Sequence, residues 1–113
     1  MRPRVFHIIL DTREGRRSIA CNENEFIWDA AARAGIHLPA ICHQGRCLSC
    51  AARLVQGDFD QSASVSYYDE DRKAGFVLLC TARPRSSDLL LQTHQQWVMR
   101  EHRRARGLPA PYS

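Results

Sequence analysis

Four cysteines carry the strongest chemical signal in this chain: Cys42, Cys47 and Cys50 on one short stretch, and Cys80 well beyond it. Thiolate sulfur is the soft ligand that iron–sulfur clusters and zinc select. Three such ligands spaced C-x4-C-x2-C on one loop, closed by a distant fourth, match the requirement of a [2Fe–2S] centre. Gly45 and Pro39 suit the irregular backbone that such a loop needs, because glycine tolerates strained dihedrals. A structural zinc module with four cysteine ligands stays open as an alternative, although zinc sites more often pair two C-x2-C knuckles. His43, beside Cys42, reads as a loop residue that tunes the site, since four cysteines already complete it.

The elements around the loop are those that must position it. Val5–Leu10, the turn cluster Asp11–Gly15 and Arg17–Cys21 predict a β-hairpin. A helix is expected from about Glu25 to Ala34, capped by Asn24, stopped by Gly35, with Phe26, Ile27, Ala30, Ala31 and Ala34 on its apolar face. Beyond the cysteine loop, Ala51–Val55, Phe76–Cys80 and Leu89–Gln92 read as strands, and Tyr67–Lys73 as a short helix or turn. One main helix among strands gives an α+β domain. Cys21, remote from the ligand loop, is expected to be a packed core residue.

The order of these segments resembles that of the plant-type [2Fe–2S] ferredoxins over roughly residues 5–94. The likeness rests on Ile27–Ala31, Ala34-Gly35-Ile36 and Leu38-Pro39 before the loop, Asp60-Gln61-Ser62 after it, Gly75–Cys80, and Leu91–His94. It implies a β-grasp (ubiquitin-like) ferredoxin fold: a mixed sheet, one main helix and a long cluster-binding loop. It further implies that Cys42 and Cys47 hold one iron and Cys50 and Cys80 the other. The function implied is one-electron transfer at low potential, near about −400 mV. No residue reads as a catalytic acid, base or nucleophile, so no enzyme activity is expected. A redox-sensing regulator needs the same site and stays open as a second reading.

Three departures from that family pattern bear on partners. Ile41 stands where the family has a serine beside the first ligand, which should lower the potential; Arg46 replaces a small residue, which should raise it. Ser66 falls where the photosynthetic proteins carry an aromatic, with Tyr67 adjacent, and Gln96 and Trp97 replace paired acidic residues. Tyr67, Asp69, Glu70, Trp97, Arg103 and Arg104 are therefore the candidate docking residues. The expected partners are a reductase-type donor and an acceptor other than the main ferredoxin–NADP reductase, because charge complementarity selects them.

The third departure is the C-terminal end. The chain has 113 residues and a net charge of +4, and four arginines against one glutamate fall after His94. The expected organisation is a ferredoxin-type domain over 1–94 and a basic extension over 95–113, helical to about 106. Thr93 and Gln96 have capping-box spacing, Gly107 is a stop signal, and Trp97 and Val98 are expected to pack on the body while the arginines stay in water. An acidic partner or an anionic membrane surface fits such a tail; nucleic acid does not, for want of a recognised module. No apolar run approaches the ~18 residues of a membrane span, and the N-terminus reads as a strand and not as a signal peptide. A monomer is expected, in the cytoplasm or a stroma-like compartment of a photosynthetic organism.

Overall fold

Alternating burial along Val5–Thr12 (β1), with Phe6, Ile8 and Leu10 inward, marks a strand that covers a core on one face. It pairs antiparallel with Gly15–Asn22 (β2), from Val5 opposite Asn22 to Thr12 opposite Gly15, so the predicted hairpin forms. The computed structural model describes residues 4–40 and 48–111. After Ile27–Arg33 (α1) come Ala51–Gln56 (β3), Phe59–Asp60 (β4), Asp69–Lys73 (α2), Phe76–Leu78 (β5), Arg83–Pro84 (β6), Leu90–Gln92 (β7) and Gln96–Ala105 (α3). A five-stranded mixed sheet runs in the order β2-β1-β7-β3-β5, with β1 and β7 parallel and the other neighbours antiparallel; β4 and β6 form a separate ribbon. This is the β-grasp arrangement.

The core joins β1, β2, β3, β5 and β7 to α1 through Ile8, Leu10, Ile19, Ile27, Ala30, Ala31, Ala52, Phe76 and Leu91. Cys21 lies inside it, its thiol pushed up to about 12 chiefly by burial, as suits an inert packed sulfur. Among the described residues no helix is long and apolar enough to cross a membrane.

Two helix expectations are corrected. α1 starts at Ile27, later than expected, and no side chain caps it. Its leading amides bond elsewhere in the fold: Ile27 N–H donates to the Ala82 carbonyl and Trp28 N–H to that of Leu79, both at 2.9 Å. Tertiary carbonyls thus satisfy the donors that a cap would have served. α3 likewise begins without the Thr93 capping box. It ends as Gly107 (φ 69°) and Leu108 donate back to the carbonyls of Arg104 and Arg103, a Schellman closure that needs a left-handed residue.

The face that α3 presents to the body also differs from expectation. Trp97 is 60% exposed and Val98 45%, whereas Met99, Arg100 and Arg103 are buried. Arg103 and Asp71 of α2 are both fully buried and paired, Nη2 to Oδ2 at 2.9 Å and Nε to Oδ1 at 3.3 Å. Asp71 also accepts the Tyr68 N–H at 2.9 Å, and Arg103 donates to the carbonyls of Ser66 and Pro109. A guanidinium offers a fork of five donors. Five satisfied bonds about this pair turn the helix so that it faces inward.

Candidate metal centre

The antiparallel pairing of β3 with β5 puts Ala51 opposite Leu78. Cys50 directly precedes one strand and Cys80 follows the other by two residues, so both leave the same end of the ladder. Cys80 therefore lies in a turn beyond β5 and not in the strand. The Leu79 N–H bonds to the Cys50 carbonyl at 3.3 Å, extending the contact past the ladder. Both cysteines are buried, with their sulfurs 3.0 Å apart. Two residues before Cys50, Leu48 holds φ of 68° with its side chain fully buried. A left-handed leucine costs about 1–2 kcal/mol and persists only where its surroundings enforce it, as at ligand clamps.

Three side chains hold these segments. Gln61, 3% exposed, brackets Leu78: its Oε1 accepts the Leu78 N–H at 2.9 Å, and its Nε2 donates to the Leu78 carbonyl and to Thr81 Oγ1, each at 3.0 Å. That fixes the backbone before Cys80 and the Thr81 side chain after it. Trp28 Nε1 donates to the Leu38 carbonyl at 2.9 Å and so anchors the chain as it enters the cysteine loop. On the other side, Arg100 of α3 donates from Nη2 to Ser49 Oγ at 3.2 Å, beside Cys50.

The donor chemistry fits an iron–sulfur centre. Two buried thiols converge, and the sulfurs on one tetrahedral metal with bonds of about 2.3 Å lie about 3.8 Å apart. A small opening of the pair therefore admits it. Cys42 and Cys47, and the tuning candidates Ile41, His43 and Arg46, lie outside the described residues.

Comparison with known proteins identifies the family. Residues 11–85 match the family model described as a 2Fe-2S iron-sulfur cluster binding domain. The vegetative ferredoxin of Trichormus variabilis is 43% identical over 79 residues, covering 70% of this chain and 79% of that one. The chain belongs to the plant-type [2Fe–2S] ferredoxin family. Its cofactor is accordingly a [2Fe–2S] cluster, and its general role is electron transfer. Among solved structures it is similar to pectocin M2, with a TM-score of 0.74 and 27% identity over 81% of this chain, which spans 33% of that chain. It is also similar to phthalate dioxygenase reductase, described as modular for electron transfer from pyridine nucleotides to [2Fe-2S]: TM-score 0.64, 27% identity, 80% of this chain and 27% of that one.

The candidate docking residues of this ferredoxin-family chain are dispersed. Asp69, Glu70 and Arg104 are exposed, as is Trp97. Tyr67 is half-buried, its hydroxyl donating to the Phe76 carbonyl, and burial raises its pKa. Arg103 is corrected: paired internally with Asp71, it has no surface to offer a partner. Asp71, next to Asp69 and Glu70 in the sequence, is withdrawn from the surface by the same pairing. Sequence reasoning missed Ser49, Arg100 and the clamping role of Gln61. Only Gln61 carried a signal, within the quoted Asp60-Gln61-Ser62 turn.

Proposed function

We propose that this chain is a one-electron carrier whose [2Fe–2S] cluster is ligated by Cys42, Cys47, Cys50 and Cys80 and works at low potential. The observation that carries this is the meeting of Cys50 and Cys80 sulfurs, 3.0 Å apart and buried, at the end of the β3–β5 ladder. The C-x4-C-x2-C spacing supplies the other two ligands from the preceding loop. When bound, the cluster supplies reversible one-electron chemistry at a potential near about −400 mV. The protein's part is to fix the ligands and shield them: Gln61 holds the Leu78 backbone, Trp28 the loop entry, and Leu48 and Ala51 the ladder end. Ile41, His43 and Arg46 are assigned to tuning the potential from the loop.

The partners are a reductase-type donor and an acceptor unlike the main ferredoxin–NADP reductase. Two features support this. Asp71 is spent on an internal ion pair, which thins the acidic surface, and the exposed Arg104 and Arg106 make the tail basic. The likeness to a modular reductase agrees with electron exchange between ferredoxin-like and reductase units. The test is substitution of each of the four cysteines by serine, with iron and sulfide counted per chain. The reading predicts that every variant loses most of its cluster. Full loading in any one of them removes that residue from the ligand set.

A further inference from the structure

α3 brings a buried cation to the cluster-bearing end of the molecule. Arg100 is 3% exposed. Its Nη2 donates to Ser49 Oγ at 3.2 Å, its Nε donates to the Pro111 carbonyl at 3.0 Å, and the guanidinium lies 4.9 Å from the centre of the Trp97 ring. Ser49 is itself buried, between Leu48 with its left-handed backbone and Cys50. The group is therefore anchored from two sides, and it stays charged at any ordinary pH. Burying a guanidinium is costly unless a definite arrangement of partners holds it, and this one is held against the residue next to a ligand.

We propose that Arg100 of the C-terminal helix sets the reduction potential of the cluster, acting as a fixed positive charge and holding, through Ser49, the backbone that carries Cys50. The proposal rests on the reading above that Cys50 is a ligand. Reduction adds one electron from a one-electron donor and increases the negative charge at the site by one. A nearby cation favours the reduced form over the oxidised one and so raises the potential. Arg100 keeps its proton in both states, so no proton accompanies the electron on its account. Because the charge is buried, salt screens it far less than a surface charge. Arg104, on the same helix but exposed, provides the contrast.

The test uses the full chain carrying its cluster. Wild type, Arg100→Gln, Arg100→Lys and Arg104→Gln are first compared by visible spectrum and by iron and sulfide content. Their midpoints are then measured by spectroelectrochemical titration at low and high salt. The expected result is a loaded Arg100→Gln protein with its midpoint shifted to lower potential at both salt concentrations. Arg100→Lys should lie near wild type, and Arg104→Gln should be unmoved. A loaded Arg100→Gln protein at the wild-type midpoint overturns the proposal, as does an equal shift in Arg104→Gln. Should Arg100→Gln fail to load, Ser49→Ala decides. It removes the anchor on the Cys50 side and keeps the one to Pro111, so the charge is held less closely to the ligand segment and a partial downward shift is expected; an unchanged midpoint overturns the proposal. Absence of iron–sulfide bands in the wild type would instead sink the ligand reading, a separate failure.

Discussion

Replacing Arg103 by methionine should release the C-terminal helix from the body, and the structure fixes the scale of the effect. The Asp71 carboxylate is fully buried and holds three described donors, two from Arg103 and the Tyr68 N–H. The substitution leaves that charge with a single backbone donor. Removing one partner of a buried ion pair costs about 3–5 kcal/mol, chiefly because the other charge stays buried. The carbonyls of Ser66 and Pro109 also lose a donor. Pro109 is exposed and Ser66 half-buried, so water can replace it and adds little. At about 1.4 kcal/mol per tenfold change, the opening equilibrium of α3 rises by roughly two to four orders of magnitude. Amide hydrogen exchange of the cluster-loaded protein reads this directly, since protection within one helix reports its local opening. The α3 amides in Arg103→Met should lose protection on that scale, while those of β1 and β7 keep theirs. The double variant Arg103→Met/Asp71→Leu should recover most of the loss, because removing both charges eliminates the buried orphan. Wild-type protection of α3 in Arg103→Met would refute the reasoning, and so would a double variant no better than the single.

Two further outcomes follow from the same contacts. Gln61→Leu orphans the buried Leu78 N–H, while the Leu78 carbonyl keeps the Thr81 N–H, at about 1–3 kcal/mol for the group left unsatisfied; the visible absorbance should decay severalfold faster on mild heating, and decay at the wild-type rate would remove Gln61 from the account. His102, 3.5 Å from Asp71 and tilted against the Phe76 ring, has its pKa lowered by burial first and then by Arg106, with Arg53 and Arg103 adding and Asp71 opposing. On acidification the unfolded chain takes this proton before the folded one does. The stability linked to neutral His102 is therefore complete above about pH 6.5 and is lost as pH falls from there toward the depressed folded value. His102→Leu should lose less stability than wild type between pH 7.5 and 5.5 (approximate settings spanning that window), and identical pH dependence would contradict this.

What could be read in advance was mostly local. The first hairpin depends on alternation and turn residues within a short range, and its prediction needed only that; the cysteine spacing is equally local, but Cys42 and Cys47 lie outside the described residues. The partners of Asp71 and Ser49 lie on a helix far along the chain, and no periodicity links them. The apolar period of α3 shows that the helix has faces, but Trp97 and Val98 are outside because Arg103 and Arg100 find fixed partners within. Packing geometry outweighed the usual preference of arginine for water. The start of α1 was misplaced for a related reason: carbonyls from the Cys80 segment took the amides that a side-chain cap would otherwise serve. The same bonds tie that helix to the metal centre, so the local expectation failed at a functional position.

The central claim is that four thiolates hold a low-potential one-electron centre in this chain. A spectroelectrochemical titration, on a sample whose iron and sulfide have been counted, tests it most directly. The account predicts about two irons and two sulfides per chain, visible bands that bleach with a single electron, and a midpoint in the region of about −400 mV. A colourless protein with one zinc per chain, or a midpoint several hundred millivolts higher, would contradict it.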